Sequence, residues 1–269
     1  MNATDTRSVS VFTGAAVLFG RVLQNYRNSP GLFAITLAAP LGMMLLFGFV
    51  FGGALAGGSD AAAYRAYLMP GVLVLVAAMG LTSTASTANA DLRSGFTDRL
   101  RALPLSPAAA PAGFAMAETV VGVVALALMS GIGYLLGWRI DATLGEVAVA
   151  IALLLAFRCA LSWLGIALGV AIRDEQMLQQ IAPLIFGTIM FSNVFVPTAS
   201  MPPVVAAIAE WNPVSAIVAA LRELLGADLP DAAGEAWPMQ HPVMAATAWI
   251  AVLFALAVPM AIRRYAAEA

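Results

Sequence analysis

The chain has 269 residues, 61% hydrophobic and 10% charged, with a formal net charge of −2. Soluble domains run nearer ~45–50% apolar and ~25% charged, so lipid is the solvent for most of this chain. The charge balance excludes a basic nucleic-acid-binding field, and a single cysteine, Cys159, with a single histidine, His241, excludes a disulfide framework and a His/Cys metal cluster.

The first ten residues are polar, and the apolar stretch after them is short and cut by Arg21, which does not fit a secretory signal. Residues 10–28 set Phe12, Ala15, Phe19, Val22, Leu23 and Tyr26 among Arg21, Gln24, Asn25 and Arg27. That pattern predicts a helix lying along the cytoplasmic interface, either as a plain anchor or as a coupling element. Pro30 and Gly31 then turn the chain into the bilayer.

Six apolar runs approach the ~20 residues that a spanning helix needs. They are 32–53, 69–90, 112–137, 146–172, 177–196 and 243–262. Backbone groups in lipid must be satisfied within the segment, so the fold class is all-α: one polytopic transmembrane domain over residues 1–269. Six spans put both termini on one side. Arg7, Arg21, Arg27, Arg93, Arg99, Arg101, Arg173, Arg263 and Arg264 fall there, against Arg65, Arg139 and Arg222 opposite, which places the termini in the cytoplasm. The pairs Gly48 and Gly52, Gly133 and Gly137, and Gly165 and Gly169 are GxxxG steps that permit close helix approach.

Between the second and third spans, residues 91–104 carry Leu92, Phe96, Leu100 and Leu103 at spacings of four, four and three. This is an apolar stripe on a short helix, with Arg93, Asp98, Arg99 and Arg101 around it and Pro104 ending it. On a cytoplasmic loop the stripe needs a cover, either lipid headgroups or a groove in a partner protein.

Glu118 in the third span and Arg158 in the fourth are intramembrane charges. Such charges pair, snorkel to an interface, or line a substrate path.

The fifth span is interrupted at Pro197. Ser200 is a candidate cap for a short helix with Pro202 and Pro203 in its first turn, ending near Glu210. Asn212 caps a second helix, with Pro213 at its first position and Gly226 at its end. Residues 198–226 thus predict a hairpin that enters the outer leaflet from outside and returns, with Glu210, Arg222 and Glu223 at the watery rim. A helix pair lying on the outer surface is the alternative.

The sequence holds no lysine and no GxxxxGK[ST] phosphate loop, and His241 is the one catalytic histidine available. The chain is therefore expected not to be an enzyme. Energy for transport would come from a partner or an ion gradient, and Glu118 is the one clear intramembrane carboxylate for a proton-coupled carrier. Met43, Met44, Phe186, Met190, Phe191 and Phe195 suit the wall of a path for amphipathic cargo, or simple packing.

The six-span plan, the loop "GFTDRLRALPLS" and the segment "NVFVPTASMP…WNPVSAIVAALRELLG" together resemble the permease subunits of type-2 ATP-binding-cassette exporters, the daunorubicin-resistance group. The resemblance spans nearly the whole chain and is most specific at Asn193, Pro197, Met201, Pro202, Asn212, Pro213, Arg222, Glu223 and Gly226. It implies two permease copies on two copies of a separate ATPase chain, which binds the ATP and magnesium; this chain itself holds no cofactor. It implies that residues 91–104 are a coupling helix, with Leu92, Phe96, Arg99, Leu100 and Arg101 toward the ATPase. It implies that Asn193, Pro197, Met201, Asn212, Pro213, Arg222 and Glu223 belong to an outer gate. Cargo of the group includes drugs, antibiotics, lipids and glycans, and the location is the plasma membrane. Ser94 departs from the acidic residue that many relatives carry before the coupling glycine. The competing readings are a stand-alone proton-coupled carrier and a non-transporting membrane scaffold.

Overall fold

The computed structural model describes residues 30–51, 61–94, 108–172, 174–227 and 234–267, with Gly20, Gln24 and Asn28 before them. The regular structure among these residues is helical throughout. The expected interfacial helix at 10–28 and most of the 91–104 segment, including Phe96, Arg99, Leu100 and Arg101, lie outside the described residues.

Helix α1 (Pro30–Leu45) continues as a π-helical turn, Leu46–Val50. Helix α2 (Ala61–Arg93) starts eight residues before the apolar run and carries it to Arg93, so Asp91 and Leu92 prolong this helix. Helix α3 (Ala109–Leu135) and helix α4 (Leu144–Ala171) follow. The turn between them has Gly137 at φ 100°, and Thr143 with Glu146 forms a capping box that starts α4. Helix α5 (Glu175–Met190) is capped by Asp174. A 3₁₀ turn (Thr198–Ser200) leads to α6 (Pro203–Glu210) and α7 (Pro213–Leu225), and a short α8 (Trp237–Gln240) precedes α9 (Pro242–Ala267).

Among the described residues, four helices are long and apolar enough to cross a membrane: α2, α3, α4 and α9. α1 and α5 have 16 residues each. At ~1.5 Å per residue, α5 reaches about 24 Å, short of the ~30 Å hydrocarbon core. The π turn extends α1, and irregular chain at 191–197 extends α5.

α2 is the axis of the bundle. Tyr64, Val72, Val74, Leu75 and Ala77 are wholly enclosed, as expected of a helical stretch that is apolar on every side. α4 packs along it most closely, and Gly165 and Gly169 are the reason: a Cβ at Gly165 would sit 2.5 Å from the Leu81 carbonyl oxygen, and one at Gly169 would overlap Ala85. Of the three GxxxG steps, this one is a helix–helix seam. α9 covers α4 and α7. Outward-facing Met116, Val120, Val123, Val124 and Leu128 on α3, with Met244, Val252 and Leu256 on α9, form the apolar surface that lipid requires. A smaller cluster at the other end of the bundle joins Phe114, Ile166, Ala261 and Tyr265, with Leu92 half-buried against it.

Candidate functional site

α5 stops at Met190 because residues 191–197 leave the helix, which frees carbonyls at its end. The Asn212 side chain takes two of them: Nδ2 donates to the Thr188 and Phe191 oxygens, both at 2.8 Å. Its Oδ1 accepts the Val214 N–H at 2.8 Å, starting α7. One amide therefore closes α5 and opens α7. Pro213 occupies the first position of α7, and Gly226 ends it at φ 63° in the left-handed region. α6 and α7 meet at 76°, the form of a re-entrant pair. Ser200 does not cap α6. Its hydroxyl donates to the Pro197 oxygen at 2.8 Å, and Pro202 precedes the helix without a side-chain bond. The 3₁₀ turn that Pro197 initiates takes Ser200 out of register for capping.

The irregular strand of chain is held from inside the protein. Arg222 is only 2% exposed, so the watery rim expected for it is wrong. Its Nε donates to the Tyr67 oxygen at 3.0 Å, and Nη2 donates to the Asn193 and Val194 oxygens at 2.9 and 3.1 Å. Its guanidinium carbon lies 3.4 Å from the centre of the Tyr67 ring. Tyr64 donates to the Phe195 oxygen at 2.8 Å. The Asn193 N–H donates to Ser215 Oγ at 3.1 Å, which ties the broken segment to α7. These bonds answer the backbone groups that a break inside a membrane protein leaves open. Glu210 is also buried, accepting the Ala236 N–H at 3.0 Å, while Glu223 remains exposed as expected. Met201 is half-buried between the 3₁₀ turn and α6.

A second polar centre lies within the bundle. Arg158 and Glu118 pair at 3.6 Å, at 4% and 1% exposure. The guanidinium also donates to the Glu118 oxygen at 3.0 and 2.9 Å, and to the Val76 and Ala77 oxygens at 3.3 and 3.4 Å. Ser83 Oγ donates to the Glu118 carboxylate at 3.3 Å. Gly80 and Gly122 make room, since a Cβ at Gly122 would overlap Arg158 Nε. The arginine thus binds α2, α3 and α4 together.

At the α2 terminus, Arg93 reaches Glu175 at 2.5 Å, linking α2 to the first turn of α5. Asn89 donates to the Gly169 and Ile172 oxygens at the end of α4. In the sequence Arg93 reads only as a cytoplasmic charge beside the 91–104 stripe, and a lone asparagine such as Asn89 carries no spacing signal.

Between α4, α5 and the hairpin runs an apolar cleft of about 660 Å³, lined by Phe157, Leu161, Leu164 and Leu168, by Ile185 and Thr188, and by Trp211. Of the expected wall residues, Met44 and Phe195 instead belong to the core, Phe195 stacking on Phe47 at 4.3 Å. Phe191 is exposed, and Met43, Phe186 and Met190 are half-buried.

Residues 14–225 match the family model of the ABC-2 type transporter. The chain belongs to the ABC-2 type transporter family. It is 32% identical over 206 residues to a daunorubicin resistance ABC transporter permease protein, DrrB1, of Streptomyces coeruleorubidus, covering 76% of this chain and 72% of that one. Membership in this permease family makes the chain a multi-pass membrane subunit of an ABC transporter. The matched stretch ends at Leu225, the last residue of α7, so it includes the whole broken span and its hairpin.

Proposed function

We propose that this chain is the permease of an ATP-driven exporter. Two copies would sit on two copies of a separate ABC ATPase and move an apolar or amphipathic cargo outward across the plasma membrane. The observation that carries the reading is the polar face of α5. Glu175, Gln176, Gln179 and Gln180 are exposed on the first turns of a helix that is otherwise largely apolar and ends in the pinned break. Amides facing lipid are costly, so this face turns toward a water-filled path or a second copy. The relative's role in daunorubicin resistance supports a drug-like cargo.

α1 and α5 count as crossings in this reading, giving six spans with both termini in the cytoplasm. The segment at 91–104 meets the ATPase through Phe96, Arg99, Leu100 and Arg101, and Leu92 anchors it to the bundle. Closure of the ATPase pair on ATP would push α2. The Arg93–Glu175 and Asn89 contacts carry that displacement to α4 and α5. At the outer end, Arg222 makes α2, the broken segment and α7 one unit, so the hairpin follows. A stand-alone proton carrier is the weaker alternative, because the Glu118 carboxylate is already held by Arg158 and Ser83.

The test is co-purification with a separate ABC ATPase chain, followed by ATP hydrolysis and vesicle transport. Phe96→Asp is expected to abolish association and transport while the permease still folds. Transport by this chain alone, driven by a proton gradient, would overturn the proposal.

A further inference from the structure

A second apolar slot, of about 320 Å³, lies between α3 and α4 at the level of α7's last turn. α5 and α6 contribute nothing to it, so it is separate from the cleft beside the hairpin. Its lining includes Leu73, Leu126, Ala127, Leu154 and Leu221, and no charged side chain. Val123, Ile140 and Ile151 line it while remaining 43%, 45% and 52% exposed, so its mouth opens on the outer, lipid-facing surface of the bundle.

Two lining groups can donate hydrogen bonds. Trp138 is 5% exposed, and its indole Nε1 has no acceptor among the described residues. Its six-membered ring packs beside Gly133, which turns the Nε1 edge away from that side. Ser130 is the other lining hydroxyl. Buried indole N–H groups ordinarily find a partner, and leaving one without costs stability. Trp138 follows the end of α3 by three residues. On the expected topology this is the outer membrane interface, where tryptophan concentrates and where lipid ester carbonyls lie.

We propose that the slot holds one acyl chain of an outer-leaflet glycerophospholipid, with an ester carbonyl accepting the Trp138 N–H. The occupant is argued from three facts together: the mouth faces lipid, the lining is apolar and uncharged, and the unmatched polar group is a donor at interface height. A lipid ester supplies an acceptor and a chain at once. A second protein copy would have to supply an acceptor from a membrane-buried helix whose carbonyls are already used. The inference rests on the expected topology, with the α3–α4 turn at the outer interface, and it stands whether or not the exporter reading holds.

The purified permease, alone or with its ATPase, would be stripped with detergent and given palmitoyl-oleoyl phosphatidylglycerol. Native mass spectrometry then counts retained lipid. One tightly held lipid per chain is expected for the unaltered protein. Trp138→Phe should weaken retention roughly fivefold, the effect of one lost hydrogen bond. Ala127→Phe, on an exposed position of the lining, should expel the lipid by filling the slot. A dialkyl ether lipid, which lacks the carbonyl, should bind the unaltered protein and Trp138→Phe alike. The proposal fails if the unaltered chain retains no lipid, or if both variants retain as much. It also fails if Ala127→Phe breaks a permease dimer while lipid retention stays the same.

Discussion

Arg222 and Arg158 show how single arginines organise this membrane protein. Each forks onto backbone carbonyls from separate segments of the chain, which the planar guanidinium does and an ammonium does not. Replacing Arg222 with methionine removes three charge-assisted hydrogen bonds to buried carbonyls. At about 1–3 kcal/mol each, the loss is at least about 3 kcal/mol. Thermal unfolding of the detergent-solubilised chain should fall accordingly, and Arg222→Lys should recover less than half of it. Arg158→Leu should be worse than Glu118→Gln, because it leaves a buried carboxylate without its cation, at about 3–5 kcal/mol. Glu118→Gln keeps the carbonyl that Arg158 grips. Export in vesicles should therefore survive Glu118→Gln; loss of transport without loss of folding would restore the proton-carrier reading.

At the scale of elements, the hairpin hangs on Asn212. Asn212→Asp retains the oxygen that starts α7 but loses the two donations that close α5. Asn212→Ala loses both. If the α5 closure matters, Asp should destabilise the chain nearly as much as Ala, by roughly 1–2 kcal/mol. If only the α7 cap matters, Asp should behave as the unaltered protein. The comparison needs denaturation midpoints of the three proteins in one detergent. The α2–α4 seam makes a second prediction at this scale. Gly165→Leu drives a side chain into the Leu81 carbonyl and should block folding outright, read as loss of monodisperse protein on size exclusion. Gly187, with open space around its Cβ position, should accept alanine without effect on the same column.

For the whole molecule, the two ends of the bundle are joined through one helix, α2. α2 touches Glu175 near one end through Arg93 and the hairpin near the other through Tyr67. Coupled sites must bias the same two-state element, and α2 is the element that both ends share. On the proposed exporter reading, removing this link with Arg93→Ala should leave ATPase association intact and lower the number of cargo molecules moved per ATP. The pair is exposed, so little stability is at stake. Equal transport efficiency in Arg93→Ala would show that displacement travels by another route.

The amino-acid sequence by itself determined the solvent, the helical class, and the Asn212, Pro213 and Gly226 signals that start and stop α7; it also showed a break in the fifth span, which the structure places at Phe191 rather than at Pro197. These follow from composition and from local spacing, which need no neighbours to be read. It also showed that Glu118 and Arg158 need each other or water, because charges in lipid have few other outcomes. Tertiary structure decided the rest. The first half of α2 is apolar and enclosed on all sides, so no periodicity tells which of its faces meets α4, α7 or the broken segment. Arg222 follows an apolar stripe on α7 and looked like a rim charge; only the approach of Tyr67 and the Asn193–Val194 carbonyls turned it inward. Ser200 lost its cap to a 3₁₀ turn, and Met44 and Phe195 went to the core, because contacts between distant segments outweigh what a short window of sequence can encode.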